Sequence, residues 1–511
     1  MTSLSSVVLT AAARTPGRVA FVDESRRPVS YSDLLGQVTD LAGVIRERTS
    51  RAGRIGIISR KSPGTVVAML ATLESGRSYV PVDPAFPPGR RDFILRHSGC
   101  ELVLDALAWT ATGAAAEVQE ISGELAKARA VPAGSPAPGH RQDAEAYLLY
   151  TSGSTGDPKG VVITRRNAMA FVRWAAAALP LRPGDQVAVH APLHFDLPVY
   201  DVYVGLAGGA TLHFVPERTA LFPQALHGFL ADRAITHLYA VPSALTALVN
   251  RSTLRIDGLP ALRQILYAGE EFRPRTLGLL MKAVPGATVT NLYGPIETNV
   301  VTRWTLPCPP GEDERVPLGR PIDGVTLALL DEQGGASERS AAEGEIVIAG
   351  DCVTAGYLGR PDLTDRAMID LVTETGTRRF YRTGDFARRD GHGILRLLGR
   401  RDGLVKTRGF RVELGEIEAV ISGHPAVAEV AVVAEPDPDL THRLHALVVA
   451  GRDAGAKGWL AGQVISRCRG QLPGYMVPGR VHLVADLPHT STGKIARTRL
   501  PELIKATEEG K

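Results

Sequence analysis

The sequence predicts an α/β fold: a large N-terminal domain of α/β subdomains plus a small β subdomain, followed by a small α+β C-terminal domain. Three observations carry this expectation. Between Ile55 and Leu292, apolar runs of strand length alternate with helical text and turn signals, the pattern of serial βαβ units. Beyond Val316 the text changes to short alternating strands separated by turns, the signature of a β subdomain. After Gly399-Arg400-Arg401-Asp402-Gly403 it restarts as a compact α+β unit. At 511 residues the chain is too long for one hydrophobic core. We therefore expect domains at 1–401 and 402–511.

Taken in order, a strand at Ile55 to Ser59, a helix at Pro63 to Leu73, a turn at Gly76 and a strand at Tyr79 to Val82 make the first βαβ unit. A strand at Glu101 to Leu104 leads into an Ala-, Gly- and Pro-rich tract whose most irregular part, Pro132 to Gly139, reads as a solvated connection. Strands at Ala146 to Leu149 and Val161 to Ile163 bracket a Ser/Thr/Gly loop. Further strands fall near Gln186 to His190, Thr211 to Val215, His237 to Ala240, Gln264 to Tyr267 and Thr288 to Leu292. In the β subdomain, Val325 to Leu330 and Glu345 to Ala349 are joined through Asp331-Glu-Gln-Gly-Gly335. The C-terminal unit reads as a helix at Glu413 to Ile421, strands at Val427 to Val433 and Leu444 to Val449, and a helix near Leu460 to Gln471.

Composition excludes several classes. Hydrophobic residues at 44% with charged residues at 22% describe a globular protein. A net charge of +4, from 58 basic and 54 acidic residues, is too slight to predict nucleic-acid binding. Met1 to Thr15 has no basic n-region, and no run approaches about 18 apolar residues, so we expect no membrane partner and a cytoplasmic location. Cys100, Cys308, Cys352 and Cys468 lack Cys-x-x-Cys spacing and are expected to be buried, inert thiols.

The bracketed loop is Tyr150-Thr151-Ser152-Gly153-Ser154-Thr155-Gly156-Asp157-Pro158-Lys159-Gly160. Small hydroxyl residues, glycines and a lysine let the backbone approach phosphate oxygens with N–H, O–H and ammonium donors aimed at negative charge. The common P-loop pattern is not met, because Asp157 and Pro158 separate Gly156 from Lys159.

This loop resembles the signature of the adenylate-forming superfamily, and further stretches match that family in order: Asn291-Leu-Tyr-Gly-Pro-Ile-Glu-Thr298, Gly344 to Gly350 with Gly356-Tyr-Leu-Gly-Arg-Pro361, Tyr381-Arg-Thr-Gly-Asp385, Gly399-Arg400, Lys406 to Glu413, and Thr492-Gly-Lys-Ile-Ala-Arg497. The resemblance implies ATP and Mg²⁺ as cofactors and attack of a carboxylate on the α-phosphorus, chemistry that rests on preorganised cations and donors. On it, Thr151, Ser152, Gly153, Ser154, Thr155, Gly156 and Lys159 hold the polyphosphate. Glu297 ligates Mg²⁺, and Lys494 bridges the substrate carboxylate and the α-phosphate. Tyr293 stacks on adenine with Asn291, Gly294 and the Gly269-Glu270 backbone nearby. Asp385 accepts the ribose hydroxyls and Arg400 supports ribose and phosphate. The small domain is expected to be mobile, hinged at Asp402, with Gly409 on a pantetheine tunnel. Ile296, Arg165 and Ala496 depart from the usual Thr, His and Asp of the family pattern.

His194-Phe-Asp-Leu-Pro-Val-Tyr-Asp201 resembles the stretch where amino-acid activators place a carboxylate for the α-ammonium, which assigns that role to Asp196; capping of the following helix is the bland alternative. The family's other pocket positions fall on Leu197, Tyr200, Tyr239, Leu266, Ala268, Leu292, Val300 and Val301. This set is apolar apart from two phenols and resembles that of proline-activating members, with Tyr200 and Val301 departing from it. Proline is the expected substrate, with alanine or another small amino acid as the alternative. Only 17 residues follow Lys494 (511 − 494) and no Gly-Gly-x-Ser site is present, so the acceptor is expected to be a separate phosphopantetheinylated carrier protein. Two rivals remain. An acyl-CoA synthetase would load free CoA, and a nucleotide-binding regulatory protein would perform no chemistry.

Overall fold

The computed structural model describes residues 3–23, 26–105, 117–119, 144–153, 157–252, 258–337, 342–373, 376–400, 404–437, 441–451, 457–489 and 495–509. The Pro132 to Gly139 tract, Ser154, Thr155, Gly156, Asp402 and Lys494 lie outside the described residues. The chain forms two compact units, one of residues 1–84, 94–150 and 160–401, the other of residues 85–93, 151–159 and 402–511.

In the first unit, a nine-stranded sheet contains the parallel run Thr211–Phe214, Gln186–Val189, His237–Ala240, Gln264–Tyr267 and Thr288–Tyr293, followed by antiparallel Thr302–Thr305. The apolar runs are fully buried, as strands covered on both faces require. Helices Pro242–Arg251 and Pro274–Ala283 each begin on proline, whose missing N–H costs nothing at a first helical position. A seven-stranded sheet carries Lys159–Thr164, Glu145–Thr151, Ser78–Val82, Arg54–Ile58 and Cys100–Asp105. Helix Pro63–Glu74 is buried on every side from Pro63 to Leu73, which explains why its text is apolar without a polar face. The expected β subdomain is a six-stranded sheet that includes Val325–Leu330, Glu343–Gly350, Gly376–Arg389 and Leu395–Arg400. Two helices unread in the sequence, Leu4–Arg14 and Tyr31–Arg48, open with capping boxes at Ser3 and Ser30.

In the second unit, hairpin Leu404–Thr407 and Phe410–Glu413 turns through Arg408 (φ 53°) and Gly409 (φ 81°). Two positive φ values are what a two-residue type I′ turn demands, so Gly409 has a backbone role of its own. A three-stranded sheet, Val427–Asp437, Thr441–Ala450 and Arg480–Val484, is packed on one face by helices Leu414–Ser422 and Lys457–Gln471. The C-terminal helix Leu500–Glu509 packs on the other face through Leu500 and Ile504 against Ala431 and Leu447. This unit also holds residues 85–93 and 151–159, because Arg90, Gly153 and Lys159 bond Glu416 and Glu413.

Candidate active site

In the first unit, Tyr239 and Leu266 lie side by side in register on adjacent parallel strands. They share one buried apolar cluster with Tyr200, Ala268, Leu292 and Val300, and Leu197 packs at its margin. Val301 does not join them: it is buried with Tyr293, Leu318 and Ile348 in a different cluster, its N–H donated to the Tyr293 carbonyl. Val300 and Val301 are chain neighbours that pack in different apolar clusters. The Tyr200 ring meets Tyr239 edge-on at 6.1 Å, and its hydroxyl is shared between the Leu179 carbonyl (3.0 Å) and Gln264 Oε1 (3.3 Å). Tyr200 thus shapes the cluster with its ring while its O–H is spent elsewhere.

Asp196 stands where its carbonyl accepts the Val199 N–H, opening the helical turn that follows. Burial first, and then the Asp196 charge among other neighbours, pushes the Tyr147 and Tyr239 phenols well above their ordinary range. The carboxylate therefore acts on the apolar cluster that includes both rings. The loop leading to it is held by residues that the sequence reading did not single out. Lys61 donates to the His190 carbonyl at 2.7 Å, and burial pulls its ammonium down to about 8. His194 approaches Asp83 at 3.8 Å. Past Asp196 the chain winds through a π-helical turn, Tyr200–Val204, before the α-helical turn Gly205–Ala207. Inside it, Asp201 is fully buried with neither carboxyl oxygen hydrogen-bonded, and burial holds it far above the carboxylate range. The burial of Asp201 is invisible to motif reading because nothing in its spelling separates it from Asp196. A cavity of about 360 Å³, lined by Trp174, Arg303, Trp304 and Arg320 among others, holds none of the expected pocket residues, although Trp174 and Ile322 belong to the same large apolar cluster.

Tyr293, Asp385 and Arg400 are brought together. The Tyr293 hydroxyl donates to Asp385 Oδ2 at 2.7 Å, and Arg400 donates to Oδ1 at 2.7 Å. The strand pairing that sets Asp385 opposite Arg400 creates this arrangement. Each oxygen keeps a second lone pair, enough to accept two vicinal hydroxyls. Asn291 donates to the Pro317 carbonyl at 2.8 Å. Gly269 adopts φ 96°, and the Glu270 carboxylate accepts the Ser243 N–H at the start of helix Pro242–Arg251. A Cβ on Gly294 would lie 1.7 Å from the Asn299 carbonyl oxygen, so only glycine fits there. Glu297 is fully buried, and its Oε1 accepts the Tyr357 hydroxyl at 2.7 Å. Tyr357, in the Gly356 to Pro361 motif, is a further residue whose role the motif alone did not disclose. Ile296 packs against the apolar cluster, and Arg165 is the first residue of a helix capped by Thr164.

In the second unit, the loop's donors already hold anions. Lys159 Nζ lies 3.2 Å from Glu413 Oε1, and the Gly153 N–H donates to Glu416 Oε2 at 3.2 Å. The Glu416 carboxylate is fully buried and also takes Arg90 at 2.5 Å. Ser152 donates to the Arg411 carbonyl and accepts the Glu413 N–H. The buried Thr151 hydroxyl has no partner among the described residues. Gly153 is obligatory, since a Cβ would meet the Asp157 carbonyl oxygen at 2.2 Å. Burial raises the Glu416 carboxyl above its usual range despite Arg90.

Comparisons with known proteins show the family and the fold. The model of the AMP-binding enzyme family matches residues 8–358, and that of the AMP-binding enzyme C-terminal domain matches residues 416–494. The chain belongs to the AMP-binding enzyme family. It is 34% identical to an L-proline–[L-prolyl-carrier protein] ligase of Pseudomonas fluorescens over 96% of this chain and 97% of that protein. It is 35% identical to phosphinothricin tripeptide synthetase PhsB of Streptomyces viridochromogenes, over 98% of this chain but only 42% of that protein. Among solved structures, holo-PA1221, an NRPS protein containing adenylation and PCP domains, aligns with TM-score 0.81 at 26% identity, covering 98% of this chain and 84% of that one. The Vibrio cholerae adenylation domain AlmE aligns with TM-score 0.82 over 99% of this chain and 98% of that one, and at 24% identity it supports the fold alone.

Proposed function

We propose that this enzyme activates a small, uncharged α-amino acid, proline first, as its aminoacyl adenylate and passes it to the phosphopantetheine thiol of a separate carrier protein. The observation that carries the reading is Asp196, a carboxylate acting on an otherwise apolar cluster that includes Tyr239, Leu266, Ala268, Leu292 and Val300. A carboxylate there pairs with an α-ammonium, and the other residues expected to line the pocket carry no charge to pair with a charged side chain. The likeness to a prolyl-carrier protein ligase supports both the amino acid and the carrier.

In the first step, a substrate carboxylate oxygen forms a bond to the α-phosphorus of ATP and pyrophosphate leaves. In the second, the carrier thiol attacks the acyl carbon, AMP departs, and the thiol proton goes to solvent. Asp385 accepts the ribose hydroxyls beside Tyr293, and the Arg400 hydrogen bond orients the Asp385 carboxyl. Thr151, Ser152, the Gly153 N–H and Lys159 bind phosphate oxygens, a role their present hold on two carboxylates supports. Glu297, a buried hard-oxygen donor oriented by a neutral phenol, fits Mg²⁺. When bound, Mg²⁺ neutralises polyphosphate charge. On the family resemblance, Lys494 serves adenylation alone, while Asp402 is the hinge between the half-reactions. Lys494→Ala is expected to abolish adenylate formation and to spare transfer from supplied aminoacyl-AMP.

The test is amino-acid-dependent ATP–pyrophosphate exchange across a panel of amino acids, with fatty and aryl acids as controls. Proline is expected to give the largest kcat/KM, and Asp196→Ala should lower that value by about 1.5–3 kcal/mol in transition-state terms. Alanine in first place would keep the chemistry and change the substrate. Robust exchange with an aryl acid, or an unchanged constant in Asp196→Ala, would overturn the reading.

A further inference from the structure

On the sheet face covered by the C-terminal helix, His445 and His482 project side by side from the adjacent strands Thr441–Ala450 and Arg480–Val484. Both are buried, and His445 Nδ1 lies 2.9 Å from His482 Nε2. Glu508, on helix Leu500–Glu509, completes a trio in which one ligand atom from each residue lies within 4.8 Å of the others. Two imidazoles facing each other in a buried position at the margin of an apolar face call for an explanation that the adenylation chemistry does not supply.

The hydrogen bonds fix which nitrogens are available. Thr507 donates its hydroxyl hydrogen to the Ile504 carbonyl at 2.7 Å, so at 3.2 Å from His482 Nδ1 it can only accept. His482 therefore carries its proton on Nδ1 and presents a bare lone pair on Nε2. That lone pair is aimed at His445 Nδ1. Beyond the other edge of His445, Glu435 lies 3.9 Å from Nε2. This is the outer arrangement of a metal-bound histidine pair: a Thr oxygen orients one ring and a carboxylate stands behind the other. Glu508 Oε1 also accepts from Arg480, and a carboxylate has lone pairs enough for that bond and a cation.

We propose that His445, His482 and Glu508 bind one divalent transition-metal ion, with Zn²⁺ best suited to the donor set, and that the ion fastens the C-terminal helix to the sheet. Two nitrogens and one carboxylate oxygen leave a fourth tetrahedral position for water. The proton of His445 moves from Nδ1 to Nε2, on the side where Glu435 lies at 3.9 Å, so binding through Nδ1 needs no net change in protonation. Tetrahedral nitrogens at the usual Zn–N length of about 2.0–2.1 Å sit roughly 3.3 Å apart. The present 2.9 Å spacing must therefore open by a few tenths of an ångström, and the two rings, now nearly coplanar with centroids 5.2 Å apart, must turn until both lone pairs converge on the ion. Hard Mg²⁺ prefers oxygen ligands and should not compete.

The test uses the full-length chain freed of any affinity tag and treated with a chelator, titrated with Zn²⁺ against a chromophoric competitor and, separately, with Co²⁺. Stoichiometric binding of one Zn²⁺ is expected, together with a raised melting temperature and the visible absorption of tetrahedral Co²⁺. His445→Ala and His482→Gln should lose all three responses while retaining pyrophosphate exchange, which confirms that they are folded. Thr507→Val should weaken Zn²⁺ by about 10–100-fold. Zn²⁺ binding that is absent, or unchanged in both histidine variants, would overturn the proposal.

Discussion

The residues proposed for the nucleoside and the loop proposed for the phosphates are built in opposite ways. Tyr293 and Arg400 each donate to one oxygen of Asp385, whose spare lone pairs let a ribose be added on that proposal without breaking either bond. In the Thr151–Lys159 loop, by contrast, the Gly153 N–H and the Lys159 ammonium are held by Glu416 and Glu413. On the proposed roles, a triphosphate takes these donors from carboxylates, so the first region would bind by addition and the second by exchange.

Substitutions can break or sharpen this contrast. The largest effect is expected for Asp385→Ala, which removes two charge-assisted ribose contacts and leaves Arg400 without its carboxylate. The expected loss is about 3–4 kcal/mol in kcat/KM for ATP, and steady-state exchange kinetics at varied ATP measure it. Lys159→Met removes one charged contact and should cost about 1.5–3 kcal/mol on the same constant. An equal effect on a nucleoside lacking phosphates would show that the loop does not act on the polyphosphate. Tyr293→Phe deletes only the hydroxyl that orients Asp385 and should cost about 1 kcal/mol. The smallest effect has the opposite sign. Glu413→Gln frees Lys159 from a competing charge and should lower KM for ATP about 2–5-fold, a gain worth less than about 1 kcal/mol. A higher KM in that variant would mean that the carboxylate assists ATP, and the exchange picture would fail.

Much of this was legible in the sequence because period and punctuation carry backbone information. Strands His237–Ala240 and Gln264–Tyr267 begin and end where their apolar runs do, and Pro242 and Pro274 mark the helices that follow. Tyr293, Asp385 and Arg400, scattered over more than a hundred residues, were readable only as parts of ordered motifs, and the strand register then joins the last two directly. What stayed hidden was side-chain direction. Val301 shares its spelling with Val300 yet packs in another cluster. Tyr200 offers the substrate cluster a ring and not a hydroxyl. Glu413 and Glu416 read as ordinary helix-entry acids, because the loop they hold lies more than 250 residues earlier in the chain.

The π-helical turn Tyr200–Val204 gives the region after Asp196 an unusual kind of constraint. A π turn holds one residue more than the α turn it replaces, and each residue of an α-helix advances the side-chain direction by about 100°. The angular phase between Asp196 and everything beyond Gly205 is therefore set by residue count. Substitutions can repaint the walls of the acyl cluster and leave that phase untouched. Loss of a single codon between Tyr200 and Val204 would let the segment relax to an ordinary α turn and keep that phase, whereas the same loss elsewhere between Asp196 and Gly205 would swing the downstream side chains by about that angle. For this stretch, indels are the coarse control of geometry, and exchange of amino-acid identity is the fine one.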